Sequence, residues 1–253
     1  MLLLRRTASL KPALQQVHAA TVPYALAYEW QRTLHARRVA GEIPDLLLTL
    51  EHPHVFSLGR RFDPSHLLAG EHELAARGIE MHEADRGGSI TYHGPGQLVG
   101  YPIVDLRATP EVTADPIAYL RVLERAIIHG CAQLGVAAGT REGLTGVWVG
   151  REKLAAIGVN VSRGVAKHGF ALNVTTDLDF FSSMVPCGIE EAAVTSLEAL
   201  LGAAIPVRRA AEVLGVSLAD HLSRRLVTGS LEDLTSALGW DSSCDRWGQP
   251  IRA

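Results

Sequence analysis

The sequence predicts an α/β (α+β) single domain with a mixed, largely antiparallel sheet flanked by helices. Three observations point there. Short apolar runs of strand length, bounded by Gly, Pro or His, recur between Leu46 and Val174. Two longer stretches, residues 21–40 and 116–134, carry helix start and stop signals. Hairpin-like pairs alternate with helical crossovers, an order that suits a mixed sheet. With 253 residues, 47% hydrophobic and 20% charged, the chain has enough apolar material for a sizeable core.

Residues 1–20 show no clear period and read as a lead-in. Thr21 is the expected N-cap, with Pro23 just inside, of a helix running to Ala40 and ended by Gly41 and Pro44. Leu46, Leu47, Leu48 and Leu50 form a buried strand, because the flanks break too soon for a helix. His52-Pro53 turns the chain, and Val55–Leu58 resumes a strand. A short helix over Glu71–Ala76 precedes a strand at Ile79–Glu83. Asp115 caps a second long helix, Pro116–Leu134, which Gly135 closes. Gly146–Val149, Leu154–Val161 and Phe170–Val174 read as successive strands. Helices follow at Val194–Leu201 and Val207–Leu226, the latter interrupted near Gly215. Residues 1–226 then form the main domain, and residues 227–253 a C-terminal extension with a short helix at Leu231–Leu238.

Composition removes several function classes. A net charge of −3 argues against a nucleic-acid binder, which would carry a basic excess. The three cysteines, Cys131, Cys187 and Cys244, are far apart and odd in number, so they form neither a disulfide framework nor a zinc spacing and fit a reducing compartment. No apolar run reaches the roughly twenty residues of a membrane span. Arg5 and Arg6 break Met1–Leu4 before it could serve as a signal core. A cytoplasmic protein is expected.

The most informative stretch is Arg86–Pro102, with five glycines and two prolines among Thr91, Tyr92, His93 and Gln97. Such a backbone turns tightly and admits a ligand or another strand close to the chain. Ile90 and Tyr92 before the turn, and Leu98, Val99 and Tyr101 after it, suggest flanking strands. Taken alone, the block is also compatible with a hairpin that carries no chemistry. Two further segments bear on this: Lys153-Leu-Ala-Ala-Ile-Gly158 with Lys167–Asn173 downstream, and Val185-Pro-Cys-Gly-Ile189.

With these three segments in this order, the chain resembles the lipoyl(octanoyl) transferases, of the biotin and lipoate protein ligase catalytic-domain superfamily. The resemblance covers most of the chain. The glycine block is shared more loosely with lipoate–protein ligases, whereas the lysine of K-x-A-x-x-G combined with the cysteine of P-C-G is specific. The resemblance implies transfer of an octanoyl group from octanoyl-acyl carrier protein to a lysine of a lipoyl domain. The acceptors are the lipoyl domains of 2-oxoacid dehydrogenase complexes and the glycine cleavage H protein. It implies the biotin/lipoate ligase-like fold, an acyl-cysteine intermediate, no metal, nucleotide or redox cofactor, and a monomer.

On this resemblance Cys187 and Lys153 are the catalytic pair. Cys187 sits between Pro186 and Gly188, which suit a tight turn rather than a packed element. Attack needs thiolate, scarce in a free thiol of pKa about 8.5 at neutral pH, and Lys153 could stabilise it or accept its proton. From its neighbours alone, Lys153 could equally be a solvated lysine at a turn. The substrate pocket implied by the resemblance comprises Arg86, Gly87, Gly88, Ser89, Ile90, Thr91, Tyr92 and His93, then Ala156, Ile157 and Gly158, then His168, Gly169, Phe170 and Ala171. An eight-carbon chain needs an apolar slot, and glycines on opposing strands leave room for it. His93 and His168 are expected to shape the pocket rather than act as the primary base. His52-Pro53-His54 lacks a third metal ligand nearby.

Arg32, Arg37 and Arg38 on the first helix, with Arg60 and Arg61, form the expected docking face for an acidic partner; the bland alternative is a solvated helix. A second candidate side carries Arg151, Arg163 and Lys167.

Overall fold

Leu47 turns to one side of its strand, and Leu46, Leu48 and Leu50 to the other. All four are buried, so that strand is covered on both faces. This is the layering of the whole molecule in the computed structural model. The structure describes residues 11–109, 111–113, 115–185 and 193–239, with the backbone alone at residue 71. The first half of the chain forms β1 (Ala13–Thr21), α1 (Tyr24–Ala40), β2 (Asp45–Glu51), β3 (Val55–Leu58), α2 (Glu71–Ala76), β4 (Glu80–Glu83), β5 (Ile90–His93) and β6 (Gln97–Ile103). The second half forms α3 (Pro116–Gln133), β7 (Gly139–Arg141), β8 (Leu144–Val149), β9 (Glu152–Ser162) and β10 (Val165–Asn173). After these come α4 (Leu197–Leu201), α5 (Val207–His221), β11 (Arg225–Thr228) and α6 (Leu231–Leu238).

Eight strands form one sheet in the order β11-β1-β2-β6-β10-β9-β8-β7. The pairs β1–β11 and β1–β2 are parallel and the other five antiparallel, so the expected mixed, largely antiparallel sheet is present. Residues of α3 and α5 pack with Leu47, Leu98 and Leu172 on one face. Residues of α1 and α6 pack with Leu46, Leu48 and Tyr101 on the other. A small sheet, β4-β3-β5, stands beside it around Phe56, Ile90 and Tyr92.

The glycine block does not close a hairpin. β5 pairs with β3 in the small sheet, whereas β6 pairs with β2 and β10 in the large one. The two sheets meet at this turn, and the seam between them holds the cavity described below.

Local signals decide most boundaries. Asp115 accepts the Ile117 N–H at 2.9 Å and starts α3 as expected. Gly41, at φ 77°, ends α1 with its N–H on the Arg38 carbonyl.

Four expectations are corrected. The lead-in contains β1, an inner strand of the large sheet, whose polar Gln15, Gln16 and His18 obscure its alternation. Thr21 ends that strand, and Pro23 occupies the cap of α1 without a side-chain bond. Helix α5 runs unbroken through Gly215, where a Cβ would strike the Gln16 side chain on β1, so this glycine serves close approach. Residues 225–228 are strand β11 rather than the end of that helix. The expected helix at 231–238 is present as α6, capped by Ser230 and packed on α1 through Leu234 and Leu238.

Candidate functional site

The β9–β10 ladder sets two of the three expected pocket segments face to face. Ala156 pairs with Ala171, Ile157 with Phe170, and Gly158 with Gly169. The third segment crosses them, its Gly87 N–H donating to the Val159 carbonyl at 3.0 Å. Gly158 makes the crossing possible, because a Cβ there would stand 3.0 Å from the Gly87 carbonyl and 3.1 Å from Arg86 Cδ. Gly88, Ser89, Ile90, Thr91 and His93 supply the opposing wall, and Tyr24, Tyr101 and His168 complete the cavity.

Tyr92 is the one expected pocket residue that does not line this cavity. Strand side chains alternate, so it points away from Thr91 and His93. Its ring stacks on Phe180 at 5.1 Å, and its hydroxyl meets His54 Nδ1 at 2.8 Å.

The polar groups around the cavity are tied down. Arg86 is buried, its Nη2 donating to the Ser57 carbonyl at 2.5 Å and to Ser57 Oγ at 2.9 Å. His93 contacts Ser57 Oγ and Gln97 Oε1 and stacks on Tyr24 at 5.8 Å. Burial above all, then neighbouring His52, pushes its pKa well below the ordinary histidine value. His52 contacts the Val22 carbonyl at 2.6 Å and the Tyr101 hydroxyl at 2.7 Å, so it supports the cavity from behind. Both ring nitrogens of His52 are thereby used, and His54 Nδ1 is held by the Tyr92 hydroxyl.

His168 sits at φ 57°, a left-handed conformation rare for a residue with a side chain. Its N–H donates to Gln31 Oε1 at 2.9 Å. The twist brings two consecutive side chains to one carboxylate: His168 Nε2 lies 2.7 Å from Asp85 Oδ1, and Lys167 Nζ lies 2.6 Å from Oδ2. The His168 hydrogen bond, with Lys167 behind it, holds the Asp85 carboxyl well below the usual range. Desolvation lowers the pKa of His168 despite Asp85, leaving the ring neutral and Nε2 the donor.

Lys153 is 4% exposed, which excludes the solvated turn. Its Nζ stands 4.7 Å from the centre of the Trp148 ring. It borders a wide cleft shared with Gly87, Ile157 and Gly158, and a narrow one shared with Thr91, Ala156 and Ala171. Its peptide is bound on both sides by residues 193–195. The Lys153 N–H donates to the Ala193 carbonyl at 2.8 Å, and the Thr195 N–H donates to the Lys153 carbonyl at 3.0 Å.

Cys187 lies outside the described residues, which stop at Val185 and resume at Ala193. The Val185 N–H is bound by the His66 carbonyl at 2.8 Å. Cys131 is buried on α3, and burial pushes its thiol up to about 12, which leaves it inert at neutral pH. Cys244 also lies outside the described residues.

The sequence model of the lipoyl protein ligase A/B catalytic domain matches residues 23–219. An octanoyltransferase of Acidobacterium capsulatum is 49% identical over 195 residues, 73% of this chain and 79% of its own. One from Rubrobacter xylanophilus is 51% identical, covering 73% and 82%. This chain belongs to the octanoyltransferase family. An octanoyltransferase of a Mycobacterium species, 45% identical, extends the match to 87% of this chain and 90% of its own. Among solved structures, lipoate-protein ligase A bound with ATP superposes with a TM-score of 0.66 at 15% identity, covering 94% of this chain and 98% of that one. A bipartite lipoate protein ligase from Thermoplasma acidophilum gives 0.64 at 15%, covering 96% and 98%. These two share the fold, which is the biotin/lipoate ligase-like architecture expected.

Knowing the octanoyltransferase family does not by itself assign the residues that sequence reasoning missed. Tyr24 arrives from α1, which no local motif marks. Tyr101 and Gln97 lay within the glycine block but carried no assigned role. Asp85 directly precedes Arg86, and its task shows only once Lys167 and His168 converge on it.

The expected docking face is also redrawn. Arg38 is half-sequestered, bonded to the buried Asp45 at 2.7 Å and 3.6 Å from Asp105. Arg37 reaches the Ser236 and Ala237 carbonyls at the end of α6. Both side chains are engaged by other parts of the fold. Arg32, Arg60, Arg163 and Lys167 instead line a polar hollow of about 760 Å³ beside Asp85 and Asn160.

Proposed function

We propose that this octanoyltransferase moves an octanoyl group from octanoyl-acyl carrier protein to a lysine of lipoyl domains by way of an acyl-Cys187 thioester. The observation that carries the reading is the position of Lys153, buried beside the wide cleft that adjoins the apolar cavity and hydrogen-bonded to residues 193–195, which follow the Cys187 segment. The cavity between β5, β9 and β10 receives the acyl chain, with Phe170, Ile157 and Ala171 along its apolar side. Arg86 and His93, already saturated by Ser57 and Gln97, shape the slot without competing for protons.

In the first half-reaction the Cys187 thiolate attacks the thioester carbonyl. A new C–S bond forms, the bond to the carrier sulfur breaks, and the carrier thiolate leaves and takes a proton from the Lys153 ammonium, which is left as the neutral amine. In the second, a lipoyl-domain lysine amine attacks acyl-Cys187. The amide C–N bond forms, the Cys187 thiolate departs, and the amine proton passes to Lys153. The incoming thioester is already activated, so the transfer draws on no nucleotide and no metal. The acceptors are lipoyl domains of 2-oxoacid dehydrogenase complexes and the glycine cleavage H protein, met by a monomer in the cytoplasm.

Intact-mass analysis after mixing with octanoyl-acyl carrier protein, without ATP, tests this. An octanoyl adduct on Cys187 that an added lipoyl domain discharges is the expected result. An adduct on Cys131 or Cys244, or transfer that requires ATP, overturns it.

A further inference from the structure

Seven residues between the cavity wall and Lys153 form one hydrogen-bonded chain whose direction is fixed at both ends. Arg86 can only donate, so Ser57 Oγ accepts from its Nε at 3.2 Å and Nη2 at 2.9 Å. The Ser57 O–H is then left to donate to His93 Nε2 at 3.1 Å. At the other end, the Thr195 carbonyl can only accept, so Asn173 presents Nδ2 to it at 2.9 Å and turns Oδ1 toward Gln97. Gln97 Nε2 donates to that Oδ1 at 2.9 Å, which leaves Gln97 Oε1 to accept from His93 Nδ1–H at 2.9 Å. The two ends agree on one tautomer of His93, protonated at Nδ1 and accepting at Nε2. The Thr195 N–H continues the chain to the Lys153 carbonyl at 3.0 Å.

We propose that Gln97 and Asn173 are positioning residues, which fix the Lys153 peptide and the residues 193–195 bonded to it against the wall of the acyl cavity. The inference rests on the reading of Lys153 as the group that manages the proton. Every link from Ser57 to Thr195 is buried, so water cannot replace a missing partner. Gln97, Asn173 and Lys153 also border the same narrow cleft, so the device lies beside the residue it positions. Asn173 and Gln97 do not line the main cavity, and their effect passes through Lys153.

Asn173→Asp tests the chain with little change in size. The carboxyl still accepts from Gln97. Ionised, it sets an oxygen against the Thr195 carbonyl; protonated, it donates and restores the link. At pH 8 the variant is expected to lose about 10- to 100-fold in kcat, the scale of a buried polar group left unpaired, with KM for the octanoyl donor within about twofold of the parent. Its kcat relative to the parent rises as pH falls and the carboxyl protonates. A relative kcat that is flat with pH, or a loss confined to KM, overturns the positioning role. Circular dichroism establishes that the variant folds; if it does not, Gln97→Glu is read the same way, since its carboxylate cannot donate to Asn173. Imidazole 15N shifts of the unaltered protein give an independent readout: His93 protonated at Nε2 overturns the chain. If the parent transfers no octanoyl group, the functional reading fails, while the tautomer still decides the bonding. A parent that transfers normally, beside a flat pH ratio, removes the positioning role alone.

Discussion

Gly158 on β9 and Gly169 on β10 are direct cross-strand partners, and each carries the carbonyl of another glycine against its bare Cα. For Gly158 that carbonyl belongs to Gly87; for Gly169 it belongs to Gly100. The missing methyl at Gly158 lets the Gly87 segment cross β9, and the one at Gly169 lets β10 lie close against β6. Gly169 has no slack, because a Cβ would strike the Gly100 carbonyl and Pro102. Gly158 is tight rather than blocked, because a Cβ would stand 3.0 Å from the Gly87 carbonyl and 3.1 Å from Arg86 Cδ.

Gly158→Ala is therefore expected to fold, with an overpacking cost of about 1–3 kcal/mol, and to narrow the slot. Turnover with octanoyl donors should fall more than turnover with butanoyl or hexanoyl donors. A chain-length series of donor thioesters measures this. An equal loss for all three lengths would place Gly158 outside the acyl path.

Lys153→Met keeps an unbranched apolar stem over Trp148 and removes the ammonium. It should leave the melting temperature within a few degrees of the parent and lower octanoyl transfer by about 10²- to 10⁴-fold, the usual worth of a placed proton-transfer group. Alkylation of Cys187 by iodoacetamide at pH 7 should slow in parallel. Unchanged alkylation with lost transfer would confine Lys153 to the second half-reaction.

Arg60 and Arg163 form no ion pair among the described residues, although both line the hollow with Lys167. Arg60→Glu with Arg163→Glu should raise KM for the carrier protein several-fold, leave a small soluble thioester unaffected, and be mimicked by salt as the screening length shortens. Arg38→Glu should behave differently and destabilise the fold, because it sets a third carboxylate against Asp45 and Asp105 in place of a cation. A carrier KM indifferent to both salt and the double reversal would exclude the hollow as the dock.

Stability should decline on mild acidification. Full burial pushes the pKa of His52 down to about 4, whereas the unfolded chain protonates the same ring near its ordinary value. Between about pH 6.5 and 4 the unfolded state binds the extra proton, so stability is complete above about pH 6.5 and falls as pH drops. At ~1.4 kcal/mol per unit the loss approaches about 3 kcal/mol. His93, lowered in the same direction, adds to it. Melting temperatures from pH 7.5 to 4.5 measure the slope, and His52→Gln, which keeps a donor and an acceptor, should flatten it. Parallel curves for parent and variant would assign the slope elsewhere.

What was legible in the sequence was local. Asp115 and Gly41 mark helix ends because one side chain or one left-handed residue suffices there. The pocket segments could be named because their glycines are visible as letters. What stayed hidden depends on distant partners. Nothing in Ile90–His93 and Gln97–Ile103 tells that they join different sheets, since each supplies a serviceable strand edge. The convergence of Lys167 and His168 on Asp85 requires a left-handed histidine, a conformation that sequence assigns to glycine or asparagine. Arg37 and Arg38 look like a solvated face on a helical wheel. Their partners, Asp45 and the carbonyls of α6, lie elsewhere in the chain.

The division of the glycine block between two sheets bears on how this enzyme can change over generations. One side of the acyl slot belongs to the ladder of β9 and β10, the other to a short strand hydrogen-bonded only to β3. Away from Ser57 and His93, which belong to the chain that reaches Lys153, a mutation on β3 or β5 can thus retune the slot without disturbing the register on which Lys153 depends. Selection for a new acyl length and selection for transfer rate act on separate hydrogen-bond ladders, and a lineage can explore the first while holding the second constant.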